Sequence, residues 1–206
     1  MKEIELRRLV TDLANHYAAI GTTEWNPTLK KLIEIYNDHR PLTRGVVYDP
    51  SIGGWCGLFV SDMFILNGMA DLIVTEVGAY EFMANAKKKD QWKARGSYIP
   101  QAGDIIVYAF DRTVGGKTFT QYHVGIVTNA DSKVIYTTEG NVNRSVVMKA
   151  VDPADKTILG FWAVDYKSIV LPDPTEIPVI PGKVGTYTLK GIRSNGGSRY
   201  EWRKDE

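Results

Sequence analysis

Three side chains in this sequence could together cleave an acyl bond: one thiol, one imidazole and one carboxylate. The thiol is Cys56, the only cysteine among 206 residues, in the stretch GGWCGLFVSDMFIL. A single cysteine often serves only as a small buried hydrophobe. Here, however, it follows paired glycines and opens an apolar helix, where unpaired backbone N–H groups and the positive end of the helix dipole favour a thiolate and can also hold an oxyanion. Such a nucleophile needs a base, and the base needs a third group to orient its ring. His123 lies in YHVGIVTNADSKVIYTTEGN, two β-type runs joined by a turn centred near Asp131. Folded symmetrically about that residue, the hairpin sets His123 directly opposite Glu139, with Val124, Ile126, Val134, Tyr136 and Thr138 on the other, apolar face. Cross-strand Cβ atoms lie about 5 Å apart, close enough for a carboxylate to hold an imidazole N–H. Asn141 falls on the same side by alternation if the strand runs that far, where it orients the ring or meets substrate. Trp55 and Tyr122, which flank the nucleophile and the base, are candidate substrate-binding residues.

The elements that must position these groups follow from periodicity. Leu6, Leu9, Val10, Leu13 and Tyr17 form one helical stripe, predicting a helix from about Ile4 to Ala19. In NPTLKKLIEIYNDH, Asn26 caps and Pro27 starts a second helix that ends before Pro41. The helix of Cys56 closes at Gly68, and another is expected around Tyr80 to Lys89. From Pro100 onward the chain reads as short β-type runs, DIIVYAF, YHVGIVT, KVIYTTEG, SVVMKAV and GFWAVDY, of which the first is apolar on both faces and belongs at the centre of a sheet. Helices first and an antiparallel sheet second predict an α+β fold, with N-terminal helices packed on a twisted antiparallel β-sheet. The expected organisation is a helical segment over residues 1–44, a catalytic domain over 45–168, and a proline-rich linker with a short β-type tail over 169–206. In that tail, SNGG reads as a hairpin turn.

Bulk properties narrow the function. A net charge of +1 supplies no global field for nucleic acid or an anionic membrane. One cysteine and three scattered histidines, His16, His39 and His123, do not make a metal site. His16 and His39 are expected at the surface. The first 20 residues lack an uninterrupted apolar core and do not read as a secretion signal, and no stretch is apolar enough to span a membrane. The expected product is a monomer made in the cytoplasm, without cofactor, metal, nucleic-acid partner or membrane insertion.

In order and approximate spacing, GWCGLFVSDMF, IPQAGDIIVY, HVGIV, TTEGN and ILGFWAVDY resemble the CHAP domain, the cysteine, histidine-dependent amidohydrolases and peptidases of the papain-like NlpC/P60 superfamily. The resemblance covers about Gly45 to Lys167. It implies a thiol hydrolase acting on amide bonds of bacterial peptidoglycan, either between N-acetylmuramate and L-alanine or within the stem and cross-bridge peptides. It implies Cys56 as nucleophile, His123 as general base and acid, Glu139 as the residue that orients His123, and Asn141 as a supporting polar group. It also implies a setting in a phage lysin, a prophage or a wall-remodelling enzyme, with action on the wall after release by lysis or secretion. The glutamine that papain-like enzymes use in the oxyanion hole has no counterpart in YDPSIGG, which leaves that role to the Cys56 N–H and to Tyr48. Some relatives carry an acidic calcium-binding loop before the cysteine; here only Asp49 is available, so no calcium is expected. The rival readings are a CHAP-like module that binds wall peptide or a protein partner without turnover, and a thiol hydrolase acting on an amide outside the wall.

Overall fold

The stretch Cys56–Leu66 has no polar face, and it folds as a helix buried on every side. A computed structural model of the protein describes residues 2–169, 187–194 and 197–204. Four helices come first: α1 (Glu3–Ala19), α2 (Pro27–Asp38), α3 (Cys56–Leu66) and α4 (Ala79–Lys88). Six strands follow: β1 (Trp92–Ala94), β2 (Ile105–Val114), β3 (Lys117–Ala130), β4 (Ile135–Val142), β5 (Ser145–Val151) and β6 (Ile158–Trp162). They form an antiparallel sheet in the order β1-β6-β2-β3-β4-β5. This is the α+β architecture expected, consistent with a papain-like fold.

Every residue of α3 from Cys56 to Ile65 is buried. The helix lies between α1 and α2 and the sheet, so its continuous apolar run is satisfied by neighbours rather than by one stripe. Asn26 caps α2 by accepting from the Leu29 N–H, with Pro27 as its first residue. α1 buries Leu6, Val10 and Ala14, and also Arg7, whose guanidinium donates to Asp104 Oδ1 at 2.9 Å and to the carbonyls of Ala102 and Val164. That buried, multiply bonded cation fixes α1 to the loops flanking β2 and β6. No helix among the described residues is long and apolar enough to cross a membrane.

Three features of the sheet depart from the pattern of the sequence. β1 is a short edge strand that the sequence does not announce. β2 and β3 run well past their neighbours as a two-stranded arm, paired out to Val114 and Lys117 around Gly115 and Gly116, both at positive φ. The third departure is the register of β3 and β4. The turn spans Asp131 to Val134, because the Asp131 carboxylate accepts from the Lys133 and Val134 N–H groups. A bulge between Val127 and Asn129 then shifts the pairing again, so that Ile126 lies across from Thr138. Continuing that register puts Gly125, not His123, across from Glu139. Val124, Ile126 and Thr138 are buried as expected, but Tyr136, two residues nearer the turn, is 45% exposed.

The tail strands β7 (Tyr187–Ser194) and β8 (Gly197–Lys204) pair as a separate hairpin, closing at Ser194 and Gly197. The proline-rich stretch from Leu171 to Lys183 lies outside the described residues.

Candidate active site

Cys56 heads α3 with no turn of helix before it and no side chain capping the helix start. The first N–H groups of α3 therefore have no partner within the helix and belong to the same turn as the sulfur. Two glycines make the position possible. Gly53, at φ 133°, takes a backbone conformation that other residues rarely adopt. Gly57 lies so close to the Val77 carbonyl that a β-carbon there would collide with it. The segment Glu76–Gly78 is thereby pressed against the head of α3, and Ser61 fastens it: its hydroxyl donates to the Glu76 carbonyl and accepts from the Glu76 N–H, at 2.8 and 2.7 Å. Glu76 in turn receives a bidentate guanidinium from Arg44.

Cys56, His123 and Glu139, far apart in the chain, line one open cleft of about 550 Å³. Its walls include Val77 to Ala79 on one side, Asn141 to Asn143 and Lys149 on another, and Phe110, Gln121 and Tyr122 at the root of the β2–β3 arm. His123 Nε2 lies 2.9 Å from Glu139 Oε2, and the carboxylate is wholly buried. Although the two residues are not directly opposed, the longer Glu139 side chain crosses Gly125, where any β-carbon would strike it, to reach the ring diagonally. With Nε2 engaged by Glu139, Nδ1 is the nitrogen left for the thiol.

The carboxylate is saturated. Oε1 accepts from the Tyr108 hydroxyl and the Thr137 hydroxyl, each at 2.7 Å, and Oε2 accepts from His123 and from Lys149 Nζ at 3.2 Å. Burial alone would raise its pKa, but the bonds from His123, Thr137 and Tyr108 outweigh that and hold it at about 2. For His123, burial disfavours the charged ring, while Cys56 and Glu139 favour it more strongly and lift its pKa to about 9. The imidazole is therefore a cation at neutral pH, held between sulfur and carboxylate.

The remaining expected residues are distributed unevenly. Asn141 reaches the cleft, but not by strand alternation. β4 is irregular between Glu139 and Val142, and Asn141 sits at φ 64° with its amide against Gly54. Tyr122 lines the cleft and stacks edge-on against Tyr80, ring centres 5.1 Å apart. Tyr48 also lines it, yet its hydroxyl donates to the Gly53 carbonyl, and burial holds the phenol up at about 12. That donor supports the turn leading into Cys56 instead of facing the substrate. Trp55 departs from expectation altogether: it is 2% exposed, and its ring packs over Gly140, whose missing side chain leaves the room, so it is a core residue and lines no groove. His16 is exposed as expected, whereas His39 is half-buried.

Sequence reasoning missed Tyr108, Thr137, Lys149 and Gly125. Tyr108 is hidden in the apolar run of the central strand, where only its hydroxyl hints at a polar partner. Thr137 shares the face of Glu139 by alternation, and Lys149 is the one charge inside SVVMKAV. Thr137 could have been read from the pattern once Glu139 was singled out, whereas Lys149 reaches the carboxylate only through the pairing of β4 with β5. Among the described residues no group of three or more metal-ligating side chains converges.

Residues 48–141 match the family model of the CHAP domain. The match starts at Tyr48 and ends at Asn141, enclosing Cys56, His123 and Glu139 and leaving α1, α2, β5 and β6 outside. Neither the curated proteins nor the solved structures yield a match.

Proposed function

We propose, from the premise that residues 48–141 of this chain are a CHAP domain, a hydrolase type acting on amide bonds, that the protein is a cysteine amidohydrolase or endopeptidase of bacterial peptidoglycan. The observation that carries the reading is the meeting of a helix-head thiol, an imidazole and a fully buried, fully bonded carboxylate in one open cleft.

In the cycle, Cys56 Sγ attacks the amide carbonyl carbon, and the developing oxyanion is held by the unpaired N–H groups at the head of α3. The intermediate collapses as the C–N bond breaks, and the His123 imidazolium gives its Nδ1 proton to the leaving amine. The thioester that remains is attacked by water, which His123, now neutral, deprotonates. Collapse releases the acid and returns the thiolate and imidazolium. Glu139 keeps its negative charge throughout, fixing the ring through Nε2 and stabilising the imidazolium. Asn141 and Tyr122 meet the substrate on either side of this pair. The bond cut is the N-acetylmuramoyl-L-alanine amide or a peptide bond of the stem or cross-bridge, and the setting is a phage lysin, a prophage or wall remodelling. The enzyme works as a monomer and requires no metal.

The test is digestion of purified cell walls and defined muropeptides by the wild type and by Cys56→Ala, read by mass spectrometry. The wild type should release new amino groups at one bond type, and Cys56→Ala should be slower by about 10³-fold or more. Wild-type protein with a reduced thiol that opens no bond in a panel of wall types overturns the reading.

A further inference from the structure

Lys149 is the member of the cluster that the catalytic cycle above leaves without a task. It stands on β5, two strands from His123, 39% exposed, and its ammonium donates to the same Glu139 Oε2 that holds His123 Nε2. Its Nζ also lies 5.4 Å from the centre of the Tyr108 ring, whose hydroxyl occupies the other carboxylate oxygen. Two cations therefore share one oxygen atom, and Tyr108 and Thr137 close the other. We propose that Lys149 is a positioning residue that completes the donor set of Glu139 and divides the carboxylate's charge between two cations, so that Glu139 orients the imidazolium without making it too weak an acid to protonate a leaving amine. This role rests on the hydrolase reading for its purpose, but not for its electrostatics.

The physical reason is a competition. Glu139 alone would stabilise the charged ring and delay its loss of a proton; a second cation on the same oxygen opposes this, because like charges at a few ångströms disfavour one another. The groups facing the cluster are Cys56 from α3, Tyr108 from β2, His123 from β3, Thr137 and Glu139 from β4, Lys149 from β5 and, beyond it, Asp155 from the turn before β6. Of these, only Lys149 and His123 carry positive charge. Removing Lys149 must therefore move the ring toward tighter proton binding.

The experiment is a pH titration of the His123 ring by NMR in the full chain, in wild type, Lys149→Met and Lys149→Arg, with His16→Gln and His39→Gln used to assign the three imidazoles. No substrate is required, so the result is independent of whether peptidoglycan is the substrate. The Met variant should titrate upward by about half a unit to one unit, and the Arg variant should stay near wild type. On any amide substrate that the wild type cleaves, the alkaline limb of kcat/KM should move upward by the same amount in Lys149→Met. An unchanged or lowered midpoint in Lys149→Met, with thermal unfolding showing that the variant is folded, overturns the proposal. So does a variant that raises KM alone and leaves the limb in place, since that is the signature of a residue that only binds substrate.

Discussion

Glu139 and Asp62 are both carboxylates with no exposed surface, and they have opposite fates. Glu139, on the sheet, receives four donors and stays charged. Asp62, in the middle of α3, has no partner on either oxygen, and burial pushes its pKa well above the ordinary value. Desolvation acts on both; the donors decide. The same helix that presents Cys56 at its head thus carries in its core an acid that burial makes reluctant to ionise, near Tyr17 and Tyr36, whose phenols are pushed up to about 12 chiefly by burial. Charges persist inside this fold where a counter-charge or several donors meet them: Arg7 with Asp104 beside α1, Glu76 with Arg44, and Glu139 with His123 and Lys149 on the sheet.

The sharpest way to break the contrast is Glu139→Gln. The amide cannot accept from all four donors, so Tyr108 or Thr137 loses its partner and the ring loses its counter-charge. Activity should fall by about 10²-fold or more, and the alkaline limb, expected in the wild type where His123 titrates at about 9, should slide toward the ordinary histidine range. A pH-rate profile checks both. Unfolding curves supply the stability counterpart. His123, raised in the folded state, contributes stability that is complete below about 6.5 and lost as pH rises through 9; Glu139, lowered, contributes stability that is complete above about 4.5 and lost as pH falls through 2.

Gly125→Ala tests the diagonal reach. A β-carbon there strikes the Glu139 side chain and should displace the carboxylate from the ring, costing about 10-fold in rate and about 2 kcal/mol in stability. Denaturant melts beside turnover rates separate the two effects.

The smallest change is expected at the other carboxylate. Because the folded pKa of Asp62 is raised, the unfolded chain sheds this proton first, and the wild type loses stability as pH climbs above about 4 toward the folded value. Asp62→Leu should remove that slope, raise stability near neutrality by about 1 kcal/mol and leave turnover within about twofold. Thermal unfolding from pH 4 to 8 is the measurement.

What could be read in the chain was whatever depends on local pattern. The stripes of α1 and α2, the Asn26–Pro27 start and the glycine turn before Cys56 all follow from neighbours in sequence. The thiol, imidazole and carboxylate that line the cleft were legible as residue types, and the α+β order as a change of texture. The register between β3 and β4 was not, because it depends on an Asx turn at Asp131, which moves the pairing by three residues, and on a bulge beside Val127, which moves it back by one. The result is that Glu139 meets His123 across Gly125 instead of head-on. Trp55 was misread for a related reason: its inward turn depends on the space left by Gly140, some 85 residues away in the chain. Lys149 was overlooked because a lysine in a strand usually means a solvated edge, and only the assembled sheet brings its ammonium to Glu139.

The account rests on His123 acting on the sulfur of Cys56, and the rate at which iodoacetamide alkylates Cys56 between pH 6 and 8 tests this without any assumption about substrate. The wild type should react at least about 10-fold faster than His123→Ala at pH 6.5. Equal rates in the two proteins, or a wild-type thiol that does not react at all while folded, would contradict it.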